Sequence, residues 1–95
     1  MIRSFADKET EAIWNGERSR KLPPDIQKTA RRKLRQLNAA ERLADMAVPR
    51  GNRLEQLKDT DPPRYSTRIN DQWRICFHWS RGDSADVGIE DYHKG

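Results

Sequence analysis

Residues 64–79 read RYSTRINDQWRICFHW, and the fold turns on this stretch. In its first half Tyr65, Thr67 and Ile69 alternate with Ser66, Arg68 and Asn70; in its second, Trp73, Ile75, Phe77 and Trp79 alternate with Arg74, Cys76 and His78. A period of two in segments rich in β-branched and aromatic residues marks strands with one face toward a core. The NDQ between them is a turn, so the halves predict an antiparallel pair.

Reading outward, SRGDS (80–84) predicts a second hairpin turn, and ADVGIEDY (85–92) predicts a last strand carrying Val87 and Ile89 inward. Upstream, RLEQLK (53–58) has Leu54 and Leu57 close to alternation. It is closed by DTDPPR (59–64), whose two prolines cannot donate to a ladder. Before Arg53 the period becomes helical. In PPDIQKTARRKLRQLN (23–38) Ile26, Ala30, Leu34 and Leu37 recur at spacings of four, four and three, and Pro24 sits at the helix start, where a missing N–H costs nothing. Lys28, Arg31, Arg32 and Arg35 fall elsewhere on this helix and form a cationic outer face. DKETEAIWNG (7–16) predicts a shorter helix, capped by Asp7 and ended by Gly16, with Ala12, Ile13 and Trp14 as its inner side. A further short helix is expected in AERLADMA (40–47), broken at VPRGN (48–52), and MIRSF (1–5) reads as a short strand. The expectation is one α+β domain over residues 1–95: an N-terminal strand and a helical hairpin packed on one face of a mainly antiparallel sheet, the other face open.

The chain has 95 residues, a formal net charge of +4, 34% hydrophobic and 36% charged residues. That is enough for one thin core. The charge is uneven: from Glu17 to Arg35 eight bases, among them Arg18, Arg20, Lys21 and Lys33, stand against two acids. Such a run favours a polyanionic partner. The one cysteine excludes an internal disulfide, no Cys/His spacing suits a metal, and no stretch approaches the ~20 apolar residues of a membrane span. A cytoplasmic protein without cofactor fits these counts.

The chain closes with IEDYHKG (89–95), which sets Asp91, Tyr92 and His93 side by side. If the last strand pairs with the one carrying Arg74, this trio comes near Arg74, Cys76 and His78, and Lys58 reaches the same surface from the other side. Those groups are the ingredients of metal-free RNA cleavage: a base for the ribose 2′-OH, positive charge for the pentacoordinate phosphate and an acid for the leaving 5′-oxygen. Each also has a plainer reading. Arg74 and His78 suit a solvated strand face, Cys76 a small half-buried hydrophobe, and the basic helix face simple solvation. Periodicity leaves the function open.

Taken together, RYSTRINDQWRICFHW, the GD turn and IEDYH, preceded in order by MIRSF, the helical hairpin and LEQLK, resemble the HigB-type toxins of plasmid-maintenance toxin–antitoxin modules, in the RelE/ParE superfamily. The resemblance implies a RelE/ParE-like fold and a cytoplasmic, ribosome-dependent, metal-independent mRNA endonuclease that cuts codons in the ribosomal A site. It further implies a helix-turn-helix HigA-type antitoxin that neutralises the toxin and represses the shared operon, so that operator DNA is touched only through the antitoxin. By that resemblance Arg74 braces the scissile phosphate, Lys58 stabilises charge, and Asp91, Tyr92 and His93 share 2′-OH activation, base stacking and leaving-group protonation. Arg18, Arg20, Lys21, Lys28, Arg31, Arg32, Arg35 and Arg68 then become contacts to ribosomal RNA and mRNA. Glu55 departs from the pattern. Some relatives carry histidine there (LHPLK against LEQLK), and Glu55 is either a substitute base or a repulsive charge. Two other readings follow: a non-catalytic inhibitor of DNA gyrase, like the ParE branch, and a weakened toxin kept as a ligand of its antitoxin.

Overall fold

A computed structural model describes residues 1–58 and 60–92. Among them the order is helix α1 (Lys8–Trp14), helix α2 (Pro24–Ala39), two 3₁₀ turns (Leu43–Ala47 and Arg50–Asn52), and strands β1 (Glu55–Gln56), β2 (Arg64–Arg68), β3 (Trp73–Ser80) and β4 (Asp83–Asp91). The sheet runs β1-β2-β3-β4 with every neighbour antiparallel. The α+β expectation therefore holds, with both helices on one face.

Local chemistry accounts for the helices. Asp7 sits in extended backbone and its Oδ1 accepts the Thr10 N–H at 2.7 Å, satisfying one of the orphan donors at the start of α1. Gly16 ends that helix with φ +82°. On α2 the stripe Ile26, Ala30, Leu34 and Leu37 is buried against Ile75, Phe77, Val87 and Ile89 of the sheet, with Ile13 and Met46 completing the core. Truncating Leu34 to Ala would cost about 2–5 kcal/mol by the usual cavity penalty.

Three features depart from the sequence expectation. MIRSF makes no continuous ladder: Ile2 and Phe5 form separate parallel bridges to Ser84 and Val87 beside β4. β1 is cut to two residues, because Leu57 already leads into the segment containing Pro62 and Pro63, which have no N–H to offer a neighbour. In AERLADMA only Leu43–Ala47 is helical, and in 3₁₀ geometry, held by Asp45 Oδ2 accepting the N–H groups of Glu41 and Arg42 at 3.0 Å each. The β3–β4 hairpin turns through Arg81 (φ 50°) and Gly82 (φ 84°), the two positive φ values of a tight hairpin whose twist matches its strands. Further along β4, Asp86 also has φ 50°, and the register shifts between Cys76 and His78. This bulge lets Ser84 and Val87, three apart, both face the core.

Candidate phosphate-binding hollow

Residues opposite one another in a ladder share a face. Glu55 pairs with Ser66, Ser66 with Cys76 and Cys76 with Gly88; Arg68 pairs with Arg74 and Arg74 with Glu90; Arg64 pairs with His78. The sheet face away from the helices is thus a field of charged and small polar side chains. It was expected to lie open, with Arg74 solvated. Instead Ser66 and Cys76 are fully buried and Arg74 is 8% exposed. Arg74 Nε donates to Ser66 Oγ at 2.8 Å, and Nη2 donates to the Arg53 carbonyl at 2.5 Å and the Ser66 carbonyl at 3.3 Å. The guanidinium also lies 5.7 Å from the centre of the Tyr92 ring, a cation–π distance. Alternation assigned the face correctly but says nothing of what folds back over it: here the turn ending at Arg53, and Tyr92.

These groups wall a hollow of about 280 Å³ lined by Arg53, Glu55, Arg68, Asn70, Asp71, Arg74 and Tyr92. Arg53 adopts φ 44°, which turns its carbonyl onto Arg74. Arg68 is ion-paired with the exposed Asp71 at the rim. Asn70 Oδ1 accepts the N–H groups of Gln72 (2.9 Å) and Trp73 (2.8 Å), fixing the turn that forms the rim. Tyr92 is held by its own N–H on the Gln72 carbonyl and by a 3.6 Å contact between its hydroxyl and Cys76 Sγ. Burial, reinforced by Cys76, pushes the Tyr92 phenol up to about 12; burial likewise pushes the Cys76 thiol up to about 11. Both stay protonated near neutrality.

Of the residues singled out from the sequence, Glu55, Arg68, Arg74 and Tyr92 come together in this hollow. Asp91 does not join them, because it pairs with Trp73 on the helix side of the sheet, where its Oδ2 accepts Gln72 Nε2 at 3.2 Å. A strand sends consecutive residues to opposite faces, so Asp91 and Tyr92 cannot both face Arg74. Lys58 is exposed and lines a different, larger hollow of about 570 Å³ with Gln56, Leu57, Thr60 and Asp61. His93 lies outside the described residues. His78 is drawn away to the Pro63 carbonyl, 3.1 Å from its Nδ1.

The cations at the other end of the chain are displayed on built structure. Arg18, Arg20 and Lys21 are exposed on a loop folded around buried Ser19, whose N–H and carbonyl both bond the Gln27 side chain, at 3.1 and 2.8 Å. Lys28, Arg32 and Arg35 are exposed along α2, whereas Arg31 bends back so that its Nε donates to the Ile13 carbonyl at 3.0 Å. Lys28, Thr29 and the three arginines together line a hollow of about 370 Å³. Arg53 and Asn70 escaped sequence reasoning, having no pattern to mark them. Lys33 was merely counted among the bases, although it stands seven residues after Ile26 and four before Leu37, on the buried stripe; it is 8% exposed.

A family model for RelE-like toxins of the type II toxin–antitoxin system HigB matches residues 3–93. Toxin HigB-1 of Vibrio cholerae serotype O1 is 35% identical over 95 residues, covering 99% of each chain. An uncharacterized protein of Haemophilus influenzae is 31% identical over 75 residues, 79% of this chain and 74% of that one. The class is accordingly that of type II toxins, proteins whose partner is an antitoxin. Within that class the chain belongs to the HigB-like toxin family.

Proposed function

We propose that this toxin is a ribosome-dependent mRNA endonuclease, acting in the cytoplasm on codons in the ribosomal A site and neutralised by a HigA-type helix-turn-helix antitoxin. The observation that carries the reading is the arginine-walled hollow: Arg53, Arg68 and Arg74 line a space beside a stacking ring, Tyr92, and a carboxylate, Glu55. In the reaction the 2′-oxygen attacks the adjacent phosphorus, the P–O5′ bond breaks, and a 2′,3′-cyclic phosphate and a 5′-hydroxyl result. Arg74 braces the phosphate as its charge grows. With Nε and Nη2 already anchored on Ser66 and Arg53, it enters the reaction preorganised, which is how such stabilisation lowers a barrier. Tyr92 acts as a neutral stacking surface, since a phenol raised to about 12 is no base at neutral pH. Glu55 is a base candidate for the 2′-OH. His93, an imidazole, is the candidate acid for the leaving oxygen; Lys58 adds positive charge from the neighbouring hollow, and Asp91, on the other face of the sheet, supports the rim through Gln72. The exposed cations of α2 and the Ser19 loop bind ribosomal RNA through phosphates, without reading sequence.

The test is to map mRNA ends by primer extension in bacteria briefly expressing the wild-type chain or an Arg74→Ala variant, with translation of the reporter blocked in parallel. Cuts in register with codons, lost in the variant and lost without translation, are expected. Growth arrest with intact mRNA would instead transfer the reading to a bound target such as gyrase. Neither arrest nor cleavage would mean a toxin weakened at Glu55, whose carboxylate shares the hollow meant for phosphate.

A further inference from the structure

Lys33 is a cation in the interior of a small protein. Its Nζ donates to Asn52 Oδ1 at 2.9 Å and to the Arg68 carbonyl at 2.5 Å. Asn52, 1% exposed, uses its Nδ2 on the carbonyls of Met46 (3.0 Å) and Val48 (3.1 Å) and on Gln36 Oε1 (3.2 Å). One ammonium therefore joins α2, the second 3₁₀ turn and the end of β2. Burying a charge is costly unless every donor finds a partner, and an apolar residue of similar size would serve packing alone equally well. The cost is raised further here, because burial and then Arg32, Arg68 and Arg74 all depress the Lys33 pKa. What the ammonium touches points to its use. Asn52 immediately precedes Arg53, whose carbonyl anchors Arg74, and Arg68 is itself a wall of the hollow.

We infer that Lys33 is a positioning residue for the phosphate hollow: by tying Asn52 and the Arg68 carbonyl together from behind, it fixes the Arg53 carbonyl and thereby the orientation of the Arg74 guanidinium. The inference rests on the cleavage reading above. It assigns Lys33 no contact with RNA. Its effect belongs to the chemical step, since a brace displaced by about an ångström can cost on the order of 100-fold in rate while leaving substrate affinity alone.

The experiment measures mRNA cleavage on programmed ribosomes, giving kcat and KM per folded molecule, for wild type, Lys33→Met, Arg74→Lys and the double variant. Lysine at position 74 keeps a charge but lacks the fork that spans Ser66 and Arg53. Expected is a kcat reduced roughly 10- to 100-fold by Lys33→Met with KM within about twofold, and little further loss when the same change is made on Arg74→Lys, because residues acting through one group are non-additive. Wild-type activity in Lys33→Met, or losses that simply multiply in the double variant, would overturn the inference and leave the nuclease reading intact. A wild-type chain that cuts nothing would bring down both. Should Lys33→Met not fold, Lys33→Gln, which keeps a donor at that position, goes through the same cycle with the same two outcomes.

Discussion

Arg74 shows how much a single side chain can be asked to do. It stabilises the fold through Ser66 and Arg53, and in the proposed reaction it also meets the phosphate. Arg74→Ala should then cost about 1–3 kcal/mol of stability besides activity, since the buried Ser66 hydroxyl and the Arg53 carbonyl lose their donor. The thiol and phenol beneath it report on the same place. Cys76 is raised from 9.0 to about 11 and Tyr92 from 10.0 to about 12, both chiefly by burial. In the unfolded chain each loses its proton at lower pH, so the stability they contribute is complete below about pH 9 and is lost as pH rises through about 11 to 12. Thermal melts from about pH 8 to about pH 11 should show a falling Tm, and Cys76→Ala should flatten that fall; an identical slope in the variant would exclude the thiol as its source. The identity of Arg74 was legible in the alternation of WRICFHW, but its burial was not. Lys33 was the reverse case: its inward position was written in the 26, 30, 33, 37 spacing, yet a lysine is expected outside until its acceptors are known.

At the scale of elements, α1 is where local and distant bonds meet. Asp7 caps it, and Thr10, one turn in, accepts the Ile89 N–H from β4 on its Oγ1 at 2.9 Å. Asp7→Ala should cost about 1 kcal/mol and should also speed hydrogen exchange at the Ile89 amide; normal exchange there would show that the cap does not hold this contact. Elements with local signals were readable: the capped α1, the proline-initiated α2, the two long strands and the positive-φ turn at Arg81–Gly82. Those depending on a distant partner were not. Whether Ile2 and Phe5 find Ser84 and Val87 is decided across the whole chain, and the bulge at Asp86 leaves no mark in ADVGIEDY, whose alternation is right only from Val87 onward. The same limit hid the hollow, because Arg53 and Asn70 matter only once β2 and β3 have brought them beside Arg74.

The whole molecule is polarised, with exposed cations on α2 and the Ser19 loop and a second, walled group of arginines on the far face of the sheet. On the proposed reading, reversing Lys28, Arg32 and Arg35 to glutamate should weaken binding to ribosomes and make its log–log salt dependence shallower by roughly 2–3, at little cost in stability, since all three are exposed. An unchanged salt slope would remove this helix face from the proposed contact. The chain's first residues lie against its last strand, Ile2 beside Ser84 and Phe5 beside Val87. That closing contact spans nearly the full length, and contacts so distant in sequence are the last for which a nascent chain has material. A nascent chain therefore cannot close this edge before Ser84 and Val87 exist to meet Ile2 and Phe5, and the hollow waits for Tyr92 as well: a product truncated ahead of that residue lacks the ring over Arg74 and is born without the site.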